Sequence, residues 1–279
     1  MPAPGITWIA ALRAAASGRM VVAQDESAEP WPRWQSLAAT GKRFVTCHSL
    51  ADGSLVWNRE ILGPIDGHHA QNRSASGSVA VDDAGFYWMW AARDGLRVEA
   101  WTLDSRPKWH VDLGPDVAEY GFGTSATICG DVLIVPNDQE GESFVVALQT
   151  AGGRERWRLP RESGKSGYST PLCVGRRLYL WGDRGVVTCV DSQTGEVWWR
   201  GRVGGTFSVS PIAVGGTVRN VSADGEAVTI AESDSFEVLG RTPLGEQCRA
   251  TPAIACGRMV FRTTGRLLAL DADEANHPK

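Results

Sequence analysis

The sequence predicts an all-β protein assembled from repeated small sheets, and three observations carry that prediction. Its 279 residues include 32 glycines, 14 prolines and 12 tryptophans, a composition that suits short strands, tight turns and a large side chain placed at intervals. No window sustains the 3.6-residue periodicity of an amphipathic helix, which excludes a solenoid of helix pairs. The tryptophans themselves recur at a nearly constant spacing, and that repeat organises the chain.

The first recurring element is a turn followed by a strand that ends in tryptophan. Gly53-Ser54-Leu55-Val56-Trp57 matches Gly153-Arg154-Glu155-Arg156-Trp157 and Gly195-Glu196-Val197-Trp198-Trp199, and Ser105 through Trp109 fits with the glycine replaced. The tryptophans at 57, 109, 157 and 199 lie 52, 48 and 42 residues apart. Phe236-Glu237-Val238-Leu239 follows as a weaker copy, with leucine in the tryptophan's place. A second element, small residues leading into an apolar strand, recurs at Ser76-Gly77, Ser125-Ala126, Thr170-Pro171, Ser210-Pro211 and Thr251-Pro252. Two finer matches point to duplication: Gly18-Arg19-Met20-Val21 with Gly257-Arg258-Met259-Val260, and Val45-Thr46-Cys47 with Val187-Thr188-Cys189.

Within the fourth copy the pattern resolves into four strands. Ser169 to Val174 is the inner strand, Arg177 to Trp181 the next, Val186 to Asp191 the third and Glu196 to Arg200 the outer one. Asp191-Ser192-Gln193-Thr194-Gly195 is the turn between the last two, with glycine free to take a positive φ. Four strands per forty-odd residues, repeated, predict a β-propeller of about six four-stranded blades in a single domain over 1–279, with repeats near 8–60, 74–112, 123–160, 168–202, 207–242 and 248–271. Two unrelated β-sandwiches are the alternative, but they leave the shared phase of the tryptophans unexplained. The last repeat is expected to be incomplete, because nothing after Asp271 offers a Gly-x-x-x-Trp outer strand. Its missing strand would have to precede the first repeat. There Trp8 to Ala16 already reads as the first blade's own inner strand, although Ile6 to Leu12 could instead pair with the last blade.

These residues resemble the PQQ-type propeller repeat. Cys189-Val190-Asp191-Ser192-Gln193-Thr194-Gly195-Glu196-Val197-Trp198-Trp199 is close to its "LDxxTGxxxW" form. Tyr120 to Ser125 and Gly167 to Pro171 resemble a subgroup of bacterial PQQ-like proteins related to the BamB propeller, and the likeness covers roughly residues 18 to 271. The resemblance implies a bacterial, periplasmic or exported protein. The chain itself shows no signal peptide, since Ile6 to Leu12 lacks a basic leader and Arg13 interrupts it, and without export the location would be cytoplasmic.

Charge narrows the partners. A net charge of -4, with 28 basic residues scattered among 32 acidic ones, argues against nucleic acid, and no apolar run is long enough to span a bilayer. Six cysteines, at 47, 129, 173, 189, 248 and 256, form no C-x-x-C pair and read as small buried strand residues.

No coherent catalytic set emerges, and no metal or cofactor site is assigned. A quinone-dependent dehydrogenase, as the resemblance frames it, would need a calcium-binding carboxylate set, a catalytic aspartate and vicinal cysteines, and no Cys-Cys pair is present. Asn137-Asp138-Gln139-Glu140-Gly141 resembles part of a calcium loop but reads more simply as a hairpin turn. The connectors that lead from each outer strand to the next inner strand are more promising, because a propeller gathers them at one end of its channel. They carry His68, His69, Asn72 and Arg73, then Tyr120 and Phe122, then Arg161 and Tyr168. Flat aromatic faces beside polar and cationic groups suit a sugar, a peptide or another small organic ligand. The expected role is a non-enzymatic binding or scaffold module for a protein partner or small ligand at one rim. The alternatives are a quinoprotein-like dehydrogenase and an envelope assembly scaffold of the BamB type.

Overall fold

The computed structural model describes residues 19–25, 43–61, 77–92, 95–115, 124–139, 141–161, 169–255 and 257–271. These residues form twenty-two strands in six antiparallel sheets, with no helix among them, as the glycine- and tryptophan-rich composition predicts. The chain divides into two compact units, Met1–Gly164 and Lys165–Lys279.

In the first unit, β1 (Arg19–Asp25), β2 (Arg43–Ser49) and β3 (Leu55–Ile61) make a three-stranded sheet. The second sheet holds β4 (Ala80–Asp82), β5 (Gly85–Ala92), β6 (Gly95–Trp101) and β7 (Pro107–Asp112). The third holds β8 (Thr127–Cys129), β9 (Val132–Asn137), β10 (Phe144–Gln149) and β11 (Glu155–Pro160). In the second unit the fourth sheet comprises β12 (Leu172–Val174), β13 (Arg177–Trp181), β14 (Val186–Asp191) and β15 (Val197–Arg202). The fifth comprises β16 (Ile212–Val214), β17 (Thr217–Val221), β18 (Glu226–Ala231) and β19 (Val238–Pro243), and the sixth β20 (Ala253–Ala255), β21 (Arg258–Arg262) and β22 (Leu267–Asp271). Each is a meander whose strands follow one another in sequence, which is propeller-blade topology.

Register confirms the duplication. Val21 lies opposite Cys47, Tyr179 opposite Cys189 and Val260 opposite Ala269, so the two Gly-Arg-Met-Val copies are both second strands. The first sheet therefore shows the second, third and outer positions of a blade, and the sixth shows the inner, second and third. Trp8 to Ala16 and Ile6 to Leu12 fall outside the described residues.

The cores lie between neighbouring sheets of each unit. Val45, Cys47 and Trp57 of the first sheet meet Val81, Phe86 and Trp88 of the second, whose other face packs Tyr87, Met89 and Val98 on Leu133, Val135 and Val146 of the third. In the second unit Tyr179, Val187 and Cys189 meet Val218, Val228 and Ile230. Val221 and Ala227 then meet Met259 and Phe261. Burial of these side chains supplies the dominant stabilisation, about 1.5–3 kcal/mol for each large one fully covered.

The tryptophan repeat is a device that joins one sheet to the next. The indole of Trp57 donates to Leu103 O at 2.9 Å, that of Trp109 to Thr150 O at 2.9 Å and that of Trp199 to Ser233 O at 3.1 Å, each acceptor lying on the following sheet just past its third strand. Trp109 settles over Gly153, where an added Cβ would stand 2.7 Å from the ring, and Gly153 has φ +72°. The turn glycine thus serves both the hairpin and the tryptophan of the preceding sheet. Ser105 holds the equivalent left-handed place with φ 59°, and its hydroxyl accepts from Arg59 Nε at 2.9 Å.

A bulge precedes every anchor. The residue before each tryptophan, namely Val56, Lys108, Arg156 and Trp198, is skipped in the pairing, so that Cys47, Ala100, Ala147 and Cys189 face Trp57, Trp109, Trp157 and Trp199. In the fifth sheet the skipped residue is Leu239, and Thr229 pairs with Gly240. The anchor position there is Gly240, not Leu239 as the letter pattern suggests. Phe236 does different work: its ring packs on Trp199 with centroids 5.4 Å apart.

Hydroxyls stitch the inner strands. Ser78 N–H donates to Ser125 Oγ at 2.8 Å, Thr170 N–H to Ser210 Oγ at 3.0 Å and Ser210 N–H to Thr251 Oγ1 at 3.1 Å. Each such bond is worth about 1 kcal/mol net. The pairing makes Ser78, not Ser76, the second repeat's counterpart of Ser125, because Ala80 and Thr127 both open three-residue inner strands.

Cys47 is buried, Cys189 and Cys248 are buried free thiols, and burial pushes the Cys189 thiol up to about 12. Cys129 and Cys173 are each disulfide-bonded, a role beyond the small buried strand residue that the sequence reads at all six positions. Cys256 is outside the described residues.

Candidate functional site

Of the eight residues proposed from the connectors, Arg161 is described; His68, His69, Asn72, Arg73, Tyr120, Phe122 and Tyr168 lie outside the described residues. Arg161 follows β11 directly. Its backbone N–H donates to Ser143 O at 2.8 Å, extending the β10–β11 ladder by one step. Its guanidinium Nη1 donates to Asp138 Oδ2 at 2.8 Å, and both side chains are largely covered. A covered charge pair of this kind holds its partners in a fixed geometry, since losing either would strand a charge away from water.

Asp138 belongs, with Gln139 and Gly141, to the hairpin that joins β9 to β10. Gln139 N–H donates to Ser143 Oγ at 3.0 Å, and Ser143 Oγ–H returns a bond to Gln139 O at 2.7 Å. Gln139 Nε2 donates to Pro115 O and to Glu142 O, each at 3.0 Å, which ties the hairpin to the end of the second sheet. Among the described residues no group of three or more His, Cys, Asp or Glu side chains could hold a metal ion.

Two buried polar atoms beside this hairpin have no partner. Asn137 is 1% exposed and its Nδ2 meets no acceptor, while Thr124 is 6% exposed and its Oγ1 is equally unpartnered. Thr124 precedes β8 by three residues, and Asn137 ends β9, the strand that pairs with β8. A buried donor left without an acceptor costs about 1–3 kcal/mol, and a molecule that supplies the acceptor recovers that cost. The end of the fourth sheet shows the same habit. Ser169 Oγ and Trp181 Nε1 are unpartnered there, and Trp181 packs edge-on to Phe207 with centroids 5.3 Å apart.

Nothing in the residue types singles out Thr124 and Asn137 in the sequence, because their lack of partners is a property of the packing. The signal that existed was positional, since both stand where a connector meets an inner strand or a hairpin leaves the second one.

Repeated four-stranded meanders, a bulged outer strand, and a tryptophan that docks on the next sheet define a β-propeller fold, and the chain carries PQQ-like repeats where a family model matches it. The family model described as outer membrane protein assembly factor BamB matches residues 141–276. Among solved structures the chain is similar to BamB from Moraxella catarrhalis, with 18% identity and a TM-score of 0.60 over 85% of this chain and 68% of that one. It is similar to the computationally designed Ika8 protein, with 13% identity and a TM-score of 0.62 over 95% of this chain and 70% of that one. It is also similar to the quinohemoprotein alcohol dehydrogenase ADHIIG from Pseudomonas putida HK5, with 15% identity and a TM-score of 0.56 over 86% of this chain and 44% of that enzyme. At these identities the likeness establishes the fold and nothing finer. No curated protein matches the sequence. Among the described residues no helix is long and apolar enough to cross a membrane.

Proposed function

We propose that the chain works as a single propeller domain whose task is binding: it holds a protein partner or a small organic ligand at the connector end of its sheets. The observation that carries this reading is the buried, unpartnered Asn137 Nδ2, one residue before the fixed Asp138–Arg161 pair, with the buried Thr124 Oγ1 unpartnered as well. An unpartnered amide donor beside a residue that holds a guanidinium, with a buried hydroxyl free to donate, suits a ligand rich in carbonyl or carboxylate oxygen, such as a peptide backbone or an organic acid. The sequence proposes Tyr120, Phe122, Tyr168 and the His68–Arg73 segment as further contributors, and these lie outside the described residues. The likeness to an outer membrane protein assembly factor favours a protein partner in the bacterial envelope. Disulfide-bonded Cys129 and Cys173 favour an oxidising compartment such as the periplasm.

A thermal-shift screen of the full chain against organic acids, sugars and short peptides tests the binding reading. At least one class is expected to raise the melting temperature of the wild type, and the rise should disappear in Asn137→Leu and shrink in Arg161→Leu. No rise across the whole panel, or an equal rise in both variants, would overturn the site.

A further inference from the structure

The sixth sheet keeps a seat for an outer strand. In four sheets the residue facing the anchor tryptophan is small, namely Cys47, Ala100, Ala147 and Cys189. The register of β20, β21 and β22 places Ala269 at this position: Ala253 pairs with Val260 and Val260 with Ala269, as Leu172 pairs with Tyr179 and Tyr179 with Cys189. The fifth sheet, which has Gly240 at the anchor, places the larger Thr229 opposite it. Small residues thus accompany tryptophans, and the sixth sheet has the small residue. Among the described residues β22 is the edge of its sheet and pairs only with β21.

The apolar surface agrees. Leu267 is 73% exposed, whereas its counterpart Val187 is 0% exposed in the core between the fourth and fifth sheets. Ala269 is exposed where Cys189 is buried. An open edge with leucine and alanine side chains is what a further strand covers when it adds to a sheet, its backbone supplying the hydrogen bonds and its alternate side chains the specificity. Charge defines the occupant further. Arg262 is exposed, pairs across the sheet with Leu267, and meets no carboxylate among the described residues, so an acidic residue on the incoming strand is complementary.

We propose that the edge of β22 binds an extended segment of a partner polypeptide that places an aromatic residue over Ala269 and an acidic residue near Arg262. The strand runs antiparallel to β22, as β15 runs to β14. This surface is independent of the rim at Asn137 and does not rest on that reading.

The probe is a labelled synthetic peptide with the sequence of residues 195–202, the outer strand and preceding turn residues of the fourth sheet, added to the full chain. Fluorescence anisotropy should report saturable binding, with slowed hydrogen exchange at the amides of Leu267–Asp271. Replacing the peptide's Trp199 by alanine should weaken binding at least about tenfold, the scale of a lost aromatic anchor. N-methylation of alternate peptide amides should abolish it. A peptide carrying Gly201→Glu, at the position that faces Leu267, should bind more tightly, and Arg262→Ala in the protein should remove that gain. Ala269→Arg, a change at an exposed site that leaves the circular dichroism and melting temperature in place, should block the seat. The proposal is overturned if the full chain does not bind the peptide. Binding that is indifferent to tryptophan, to N-methylation or to Ala269→Arg overturns it as well.

Discussion

The fourth and fifth sheets are nearly superimposable in plan. Each has a three-residue inner strand, a five-residue second strand, a six-residue third strand and a bulged outer strand, and Leu172 faces Tyr179 as Ile212 faces Arg219. Yet one has Trp199 at the anchor position and the other Gly240. The difference lies in what stands alongside. Trp199 reaches Ser233 O in the turn between the third and outer strands of the fifth sheet. The sixth sheet, among the described residues, has no such turn to offer an indole at position 240. The tryptophan repeat therefore records contacts between successive sheets, and its decay marks where such a contact ends.

What the two sheets share should be harder to change than what separates them. Gly185 has φ +68° and an added Cβ would stand 2.2 Å from Gly204 O; Gly225 has φ +83° and the same atom would stand 1.7 Å from Glu246 O. Their carbonyls accept from Val203 and Leu244 N–H at 2.8 and 2.7 Å, so neither backbone can swing aside. Gly185→Ala and Gly225→Ala are each expected to cost about 3 kcal/mol or more, from the left-handed backbone and the clash together. Chemical denaturation measures this. If one variant were severe and the other neutral, the equivalence of the two sheets would fail.

The anchor itself comes next. Trp199→Ala removes a half-buried indole, its contacts with Tyr179 and Phe236, and its bond to Ser233, and should cost about 2–4 kcal/mol. Gly240→Trp places an indole where nothing lies within 4 Å of the added Cβ, and should change stability by no more than about 0.5 kcal/mol. A stabilisation by Gly240→Trp as large as the loss in Trp199→Ala would mean that the anchor needs no neighbour.

The same contrast shows which parts of the molecule can be read from letters. The repeat and the strand order within a blade were legible, because turn glycines and tryptophans serve the same purpose in each copy. The bulge was not, since one skipped residue leaves no mark in the sequence, and this is why Leu239 reads as the anchor when Gly240 holds the position. Ser76-Gly77 reads as the second repeat's step because a small residue follows the serine, and only the bond from Ser78 N–H to Ser125 Oγ moves that step to Ser78. At the candidate site Arg161 was legible as a connector cation, but its commitment to Asp138, 23 positions earlier, follows from the β9–β10–β11 meander. That Asn137 Nδ2 and Thr124 Oγ1 are buried without partners depends on packing, which no local pattern encodes.

A smaller effect distinguishes the sixth sheet from the fourth, and it depends on pH. Glu246 Oε2 accepts from Thr263 Oγ1 at 2.6 Å and from Gly265 N–H at 2.9 Å, and Oε1 accepts from Arg266 Nε at 2.8 Å. The Thr263 hydroxyl foremost, then the Gly265 amide and the Arg266 charge, hold the Glu246 carboxyl below its ordinary value. A carboxyl whose folded pKa is depressed stabilises the fold above its unfolded value, about 4.3 for glutamate, and loses that contribution as pH falls through the folded value. These bonds pin the turn between β21 and β22, so mild acid should loosen that turn while the fourth sheet keeps its protection. Hydrogen exchange of the amides from Thr263 to Leu270 should accelerate below about pH 4 relative to those of Val186–Asp191. Glu246→Gln should show the faster exchange already at neutral pH and little further change with acid. A turn that kept the same protection at both pH values in wild type and variant would show that the sixth sheet is held by its packing on Val221 and Ala227 alone.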